Sequence, residues 1–319
     1  MALRDTRELY RPFEYPDFEP MLTKLLSSFW HAYEVQLGDD VGDYNNKLTN
    51  DEREIVNKIL KNFVQSEIHI GNFWGDRVAD WFKKPEIQNV ARYIAGTEVN
   101  HAVAYDLLNT TLGLNEYDKL KEDKKLYARI QMLINKRAKT NTDILKQIFL
   151  YSVMGEGVSL FSSFLTLFAF TKKNMLKGVG QIISWSSLDE HTHSEVGCKL
   201  FNILNEEYSI MTEEIKNELY DIAKEVVEIE HNLALRVFED ATTDVITIEQ
   251  VKNFVNDRAN KQLQKVGLNK IFNVDNNLLQ TTSFFDTIIF GSTVLDFFAN
   301  KETEYSRGII TFEDVYEEE

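Results

Sequence analysis

The sequence contains few of the residues that break helices or cross-link a chain. It has four prolines in 319 residues, and all of them, Pro12, Pro16, Pro20 and Pro85, fall in the first third. Because proline is the strongest helix breaker, the rest of the chain is free to form long helices. The single cysteine, Cys198, excludes an internal disulfide framework and suits a reducing compartment.

Positive charge is also scarce, since the chain has 35 Lys and Arg residues but 51 Asp and Glu residues. Its net charge is −16. This balance argues against a protein that binds a nucleic-acid backbone, so any nucleotide should bind elsewhere in the system. The most apolar run, residues 160–170, is too short to span a bilayer. The first residues lack the apolar core of a signal peptide. We therefore expect a soluble, cytoplasmic protein.

The sequence has abundant apolar residues at helical spacing. Apolar residues make up 43% of the chain, enough for a large core. Capping boxes at Thr49–Glu52 and Thr247–Gln250 mark two helix starts, and no strand-rich stretch competes. The sequence predicts an all-α protein with helices over residues 17–36, 51–82, 87–112, 119–138, 142–171, 175–203, 212–238, 248–265 and 284–298.

Domain organisation follows from the absence of any Gly/Ser linker or low-complexity block. We predict one helical metal-binding domain over residues 1–300, which includes an N-terminal extension. Residues 301–319 are acidic and lack apolar periodicity, so we predict a flexible tail there.

Two Glu-x-x-His motifs carry the chemistry. Glu98 and His101 lie three residues apart, as do Glu190 and His193, so each pair can reach one ion from one helical face. Each pair is preceded by a glutamate in an otherwise largely apolar helix, Glu67 in the first case and Glu156 in the second. Two helices giving one carboxylate and two giving Glu-x-x-His form the ligand set of dinuclear sites in ferritin-like bundles.

The residue types indicate which metals the site would hold. Hard carboxylate oxygens stabilise higher oxidation states of iron or manganese, whereas zinc prefers fewer carboxylates. Four carboxylates also balance the charge of two divalent ions, which makes burial of the cluster tolerable. We expect two transition-metal ions, iron and/or manganese.

A third Glu-x-x-His, Glu228 to His231, shows how common the spacing is. We reject it because its helix is rich in acids and no glutamate in an apolar helix accompanies it. Glu156 lies in a strongly apolar stretch, where an unpaired carboxylate would cost several kcal/mol. Glu67 has more polar neighbours, so a surface position is an equally good interpretation from the pattern.

Three consecutive motifs resemble the signatures of class I ribonucleotide reductase small subunits. They are Glu98-x-x-His101-x-x-x-Tyr105, Glu156-Gly-x-x-x-x-Ser-x-Phe164 and Asp189-Glu190-x-x-His193, and their order and spacing agree over residues 29–201. The resemblance implies a ferritin-like bundle with a dinuclear metal site in its core. The metal ligands that it implies are Glu67, Glu98, His101, Glu156, Glu190 and His193.

The resemblance also implies how an oxidising equivalent would be stored and moved. Tyr105 stands at the position of the family's radical tyrosine, although a core tyrosine is the simpler interpretation of this residue alone. His101, Asp189 and Trp30 match a transfer route out of the site, and Trp30 would otherwise be assigned to the core. Tyr305 on the tail would complete the route to the large subunit.

The acidic tail has a second expected role. Phe312 and Tyr316 resemble aromatic anchors of a peptide that docks on the large (alpha) subunit, although a solubilising end is the alternative. The resemblance further implies a homodimer.

The chain departs from the family pattern at Glu67, where many members have aspartate. Glutamate occurs there in subgroups that use manganese, and one such subgroup replaces the radical tyrosine and stores the oxidising equivalent on the metals. This chain retains Tyr105, so both storage sites stay open. Ser186, one turn before Glu190, would make the tyrosine pocket less apolar.

The resemblance thus implies the small subunit of a ribonucleoside-diphosphate reductase, whose oxygen-activated metal site serves a large subunit that makes deoxyribonucleotides. Two alternatives remain. One is a ferritin-like dinuclear-metal oxidase that acts on a bound small molecule. The other is a helical binding or iron-storage protein that exports no radical.

Overall fold

A computed structural model describes residues 2–114, 118–133 and 138–291 of the chain. Over these ranges the chain is helical and contains no strand, which confirms the all-α prediction. The α-helices in chain order are α1 (Phe18–Ser27), α2 (Gly38–Asn46), α3 (Asn50–Asn72), α4 (Ala79–Trp81), α5 (Pro85–Thr111), α6 (Lys124–Leu133), α7 (Asn141–Ile148), α8 (Phe161–Lys172), α9 (Lys177–Tyr208), α10 (Glu213–Val237), α11 (Ile248–Lys265) and α12 (Asn276–Gly291).

Four helical elements form the centre of the bundle. Helix α3 packs along α5, and a π-helical segment, Phe149–Ser159, packs along α9. Helices α10 and α11 cover that segment from the outside. By length and composition Asn141–Lys172 could cross a membrane, but its most apolar window is entirely buried in the fold. It is therefore part of the core of the fold.

The predicted capping boxes are present at the starts of α3 and α11. Thr49 accepts a hydrogen bond from the Glu52 backbone at 3.2 Å, and the Glu52 carboxylate accepts one from the Thr49 backbone at 2.9 Å. Thr247 and Gln250 make the equivalent reciprocal pair. A third box, at Thr140 and Asp143, begins α7 and was not predicted. Reciprocal caps of this kind satisfy amides that lack an intrahelical partner.

The prediction of one helix over residues 17–36 was wrong beyond Ser27. Trp30 lies in a non-helical stretch that is held against α5 by Asn100. The Asn100 side-chain amide donates to the Trp30 carbonyl at 3.1 Å and accepts from the Ala32 amide at 3.1 Å. These hydrogen bonds link residues far apart in sequence, so the apolar periodicity of the segment could not reveal them.

Helix α2 was missed because glycine, asparagine and aspartate dominate its sequence, and Val41 and Tyr44 alone give no clear apolar periodicity. Its function in the fold is to cap α9. Asp40 accepts hydrogen bonds from the backbone amides of Gly178 and Val179, and Asp43 accepts one from Leu176. Both carboxylates thus satisfy amides at the start of the helix that carries Glu190 and His193.

The last described helix begins earlier than predicted. Helix α12 starts at Asn276 rather than near residue 284, and the Asp275 carboxylate caps it by accepting from the Asn277 amide at 2.8 Å. The predicted tail, residues 301–319, lies outside the described residues. The division at residue 300 therefore stays a prediction.

Candidate metal centre

The structure brings six buried acidic and imidazole side chains together between the central helices. One comes from α3, two from α5, one from the π-helical segment and two from α9. Each residue is at most 1% exposed. In chain order they are Glu67, Glu98, His101, Glu156, Glu190 and His193. The surface position considered for Glu67 is therefore wrong.

These side chains form two overlapping groups, each able to hold one ion. Glu67 and His101 belong to the first group, and Glu156 and His193 belong to the second. Glu98 and Glu190 belong to both groups, and within each group the ligand atoms all lie within 4.8 Å of one another. Two carboxylates shared by two neighbouring positions are the arrangement that bridges a metal pair.

Glu98 lies between the two histidines. Its Oε2 is 3.3 Å from Nδ1 of His101, and its Oε1 is 2.8 Å from Nδ1 of His193. Glu190 repeats the contact with His101 at 3.1 Å. Nδ1 of each imidazole therefore faces the interior of the cluster.

Most of the oxygen and nitrogen atoms in the cluster face its interior and have no hydrogen-bond partner. Both carboxylate oxygens of Glu67, Glu98 and Glu190 are buried without a hydrogen-bond partner, and the same is true of Nδ1 in both histidines. Such burial costs several kcal/mol for each charged group unless a cation compensates it. Four carboxylates and two imidazoles match the charge and donor preferences of two divalent transition-metal ions. The residues present thus fit a dinuclear site.

The electrostatics of the buried cluster indicate the same need for cations. Burial raises the pKa of Glu67 and of Glu156 well above the usual range. Burial and the charge of Glu98 raise the pKa of Glu190 to about 7. Burial would also raise the pKa of Glu98, but the two imidazoles hold it below its usual range. Without metal the cluster therefore retains protons, and cations would displace them.

Contacts outside the six residues orient two of them. The indole Nε1 of Trp74 donates to Oε1 of Glu156 at 2.5 Å. Asp189 Oδ2 accepts from Trp30 Nε1 at 2.8 Å and lies 3.2 Å from His101 Nε2. A carboxylate on the outer nitrogen of a ligating histidine fixes its orientation and tautomer. No sequence pattern indicated the role of Trp74, because it lies 82 positions from its partner.

The segment that carries Glu156 packs unusually close to its neighbours. Its hydrogen bonding is π-helical over Phe149–Ser159, a conformation often found at functional sites. A Cβ at Gly157 would lie 2.6 Å from Gln262, and the Gly157 carbonyl accepts from Arg258 Nε at 3.1 Å. Glycine beside the carboxylate thus permits α11 to approach the backbone.

Tyr105 is fully buried next to the cluster. Its ring centroid lies 4.7 Å from that of Phe63 and 6.1 Å from that of His101. Burial raises the pKa of Tyr105 well above its usual value, although the Ser186 hydroxyl favours the ionised form. The phenol is therefore neutral and shielded from water.

Other candidate residues lie apart from this centre. Glu228 is exposed, and His231 Nε2 lies 3.2 Å from the Lys252 carbonyl, so the rejected Glu-x-x-His pair does not reach the cluster. Glu230 in the same helix is fully buried and pairs with Arg129, which the sequence analysis missed. Tyr305, Phe312 and Tyr316 lie outside the described residues.

Two helices of this bundle each contribute a Glu-x-x-His pair, and two further elements each contribute one glutamate. This arrangement defines the class of ferritin-like dinuclear carboxylate proteins. The family model of the ribonucleotide reductase small chain matches residues 7–278. The chain therefore belongs to the ribonucleotide reductase small-chain family, with the activity of a ribonucleoside-diphosphate reductase small subunit.

Individual relatives agree with this assignment. The probable ribonucleoside-diphosphate reductase small subunit 376L of Invertebrate iridescent virus 6 is 28% identical, with 96% of each chain covered. The ribonucleoside-diphosphate reductase small subunit of Dictyostelium discoideum is 26% identical, with 83% of this chain and 78% of the relative covered.

Two solved structures confirm the fold. The ribonucleotide reductase R2 subunit from Clostridium botulinum superposes with a TM-score of 0.80 at 19% identity, covering 89% of this chain and 94% of that one. Streptococcus sanguinis dimanganese(II)-NrdF gives a TM-score of 0.75 at 19% identity, covering 88% and 99%. These matches confirm the predicted ferritin-like architecture.

Proposed function

We propose that this chain generates an oxidising equivalent at the six-residue cluster and passes it to a large subunit, which reduces ribonucleotides. The observation that carries the proposal is the pair of overlapping ligand groups that share Glu98 and Glu190. Two redox-active ions held by these residues would supply a strong one-electron oxidant, with oxygen or a reduced oxygen species as the source of oxidising power.

The ions that we propose are iron, manganese or one of each. Carboxylate-rich sites accept both metals, so supply in the cell contributes to the choice. Glutamate at position 67 and the dimanganese form of one structural relative favour testing manganese first. Elemental analysis together with electron paramagnetic resonance of the activated protein measures which ions bind.

We propose that Tyr105 stores the oxidising equivalent. Its complete burial against Phe63 keeps water and reductants away from the ring. The alternative is storage on the metals themselves. A tyrosyl signal that disappears in a Tyr105→Phe variant would distinguish the two.

The route out of the site that we propose runs through His101, Asp189 and Trp30. The Trp30 ring lies 5.7 Å from the His101 ring with an interplanar angle of 23°. When Trp30 loses an electron, its Nε1 proton can pass to the Asp189 carboxylate, to which it already donates a hydrogen bond. The hydrogen bond thus couples electron loss to a short proton transfer.

Removal of residues 301–319 is expected to abolish turnover with the large subunit while leaving metal loading intact, because we propose that this tail docks on the partner.

Tyr305→Phe in the full chain is expected to abolish turnover without weakening the complex, since phenylalanine cannot carry the radical. Turnover assays and a binding titration check both variants. Normal turnover by Tyr305→Phe would remove this residue from the route.

The same truncation separates the reductase from an oxidase. A cleft of about 810 Å³ between α3 and α5 reaches Glu67 and Glu98, and apolar side chains such as Val99 line it. This cleft would be the place for a small organic substrate. An oxidase would keep its activity without the tail, whereas the reductase subunit would not.

We also propose that the chain is a cytoplasmic homodimer whose interface covers this cleft. Tyr33, Ile68 and Val99 line the cleft and are 68%, 48% and 64% exposed. A second copy would bury these side chains and close the opening above Glu67 and Glu98, which would keep the site dry.

Val99→Asp is expected to convert the dimer to a monomer, because it would bury a carboxylate in an apolar contact. Sedimentation velocity measures the change. Leu235→Asp is the matched control, since Leu235 is 42% exposed on α10 and does not line the cleft. A Val99→Asp protein that sediments like the parent protein would exclude this face as the interface.

A further inference from the structure

A second tryptophan lies against Trp30 and has no role in the route described above. The ring centroid of Trp185 is 5.3 Å from that of Trp30, with an interplanar angle of 39°. Trp185 lies on α9 one turn before Asp189, so the helix that supplies the proton acceptor of Trp30 also supplies its aromatic neighbour.

The two indoles differ in their access to solvent. Trp30 is only 4% exposed, whereas Trp185 is partly exposed and packs at the edge of the core cluster that contains Trp30. The ring of Trp30 contacts both His101, which belongs to the metal centre, and Trp185. The series His101, Trp30 and Trp185 therefore leads from the buried cluster toward the surface.

We propose that Trp185 is a redox partner of Trp30 and carries the oxidising equivalent from the buried tryptophan toward the protein surface. The inference rests on the proposed function, because Trp30 must first be oxidised by the metal centre. Tryptophan is among the few side chains that can lose one electron reversibly. Contact between two such rings allows direct electron transfer between them, which an aliphatic side chain or phenylalanine would not support.

The step balances within the chain. One electron passes from the Trp185 indole to oxidised Trp30. Trp30 is thereby reduced, and its Nε1 recovers the proton held by the Asp189 carboxylate, so that the hydrogen bond of 2.8 Å is restored. Trp185 is oxidised and releases its indole proton to solvent at its exposed edge. The oxidant that removes the first electron, from Trp30, is the metal centre of the proposed function.

A role in packing alone makes different predictions. Trp185 buries part of its ring against the core, so any smaller residue would cost some stability. A packing role would make Trp185→Phe and Trp185→Tyr similar to each other. A redox role requires that tyrosine, which can also be oxidised, replaces tryptophan better than phenylalanine does.

The experiment compares Trp185→Phe, Trp185→Tyr and Trp30→Phe in the full-length, metal-loaded protein with its large subunit. Trp185→Phe is expected to lower turnover about tenfold or more at unchanged metal content, and Trp185→Tyr to recover most of the loss. The tryptophan radical formed on oxygen exposure, followed by rapid-freeze electron paramagnetic resonance, should live longer in Trp185→Phe, because its next electron donor is missing. Trp81→Phe is the matched control, since Trp81 is also partly buried but packs on Phe73.

The variants separate failure of this inference from failure of the proposed function. If Trp30→Phe is inactive while Trp185→Phe has normal turnover and radical lifetime, the role of Trp185 is overturned and the route through Trp30 stands. If Trp185→Tyr is as impaired as Trp185→Phe and the radical lifetime is unchanged, Trp185 serves packing and the inference is likewise overturned. If Trp30→Phe is fully active, the proposed route itself is wrong.

Discussion

Glu98→Ala is expected to lose both metal ions, whereas Glu67→Ala is expected to lose one. Glu98 belongs to both ligand groups and contacts both histidines, while Glu67 belongs to one group. Loss of an orienting outer contact alone commonly costs about 10–100-fold in metal affinity, so removal of a shared carboxylate should cost at least about 100-fold. Metal analysis after gel filtration measures ions per chain, and partner-dependent turnover should fall by a similar factor.

Ser66→Ala provides the control for this experiment. Ser66 is 2% exposed and adjacent to Glu67 on α3, but it belongs to neither ligand group. This variant should retain two ions and normal turnover. Two tightly bound ions in purified Glu98→Ala would contradict the proposed site, because the two positions would then not share this carboxylate.

Arg129→Met is expected to destabilise the fold by about 3–5 kcal/mol, because it leaves Glu230 buried without its cation. Arg129 donates to both carboxylate oxygens of Glu230, at 2.7 and 2.6 Å, and both side chains are at most 1% exposed. Ser162 on α8 also donates to Glu230, so the pair joins α6, α8 and α10. Urea unfolding of the metal-free protein measures the free energy of unfolding.

The double variant Arg129→Met with Glu230→Met tests the cause of the loss. If the cost comes from an uncompensated buried charge, removal of both charges should recover most of the stability. Lys173→Ala is the control, since its ion pair with Asp244 is exposed, is screened by solvent and should contribute little to stability. A loss in Arg129→Met no larger than in the control would show that the buried pair contributes little.

Glu98 and Glu67 differ in how much of their environment is encoded locally. The spacing of Glu98 and His101 places both on one helical face, whatever the rest of the fold does. Glu67 has no such local partner, and its neighbours suggested the surface as readily as the core. Its burial depends on α5 packing along α3, which no local pattern encodes.

Several interactions around the site likewise could not be predicted from local sequence patterns. Trp74 reaches Glu156 and Trp185 reaches Trp30 through contacts between distant parts of the chain. The non-helical stretch at Trp30 was predicted as helix, because its apolar residues fit that period and its anchor, Asn100, lies on another element. Glu230 resembles an exposed acid in the sequence, yet in the fold Arg129 lies beside it and both are buried.

The sequence alone determined the helical class, the two Glu-x-x-His pairs and the family resemblance, because these depend on residue type and on spacing within single helices. The tertiary structure decided which carboxylates are shared between the two ligand groups, where the π-helical segment lies and which tryptophans touch. These features arise from packing between helices, and packing depends on side chains that are distant in the sequence and adjacent only in the folded bundle.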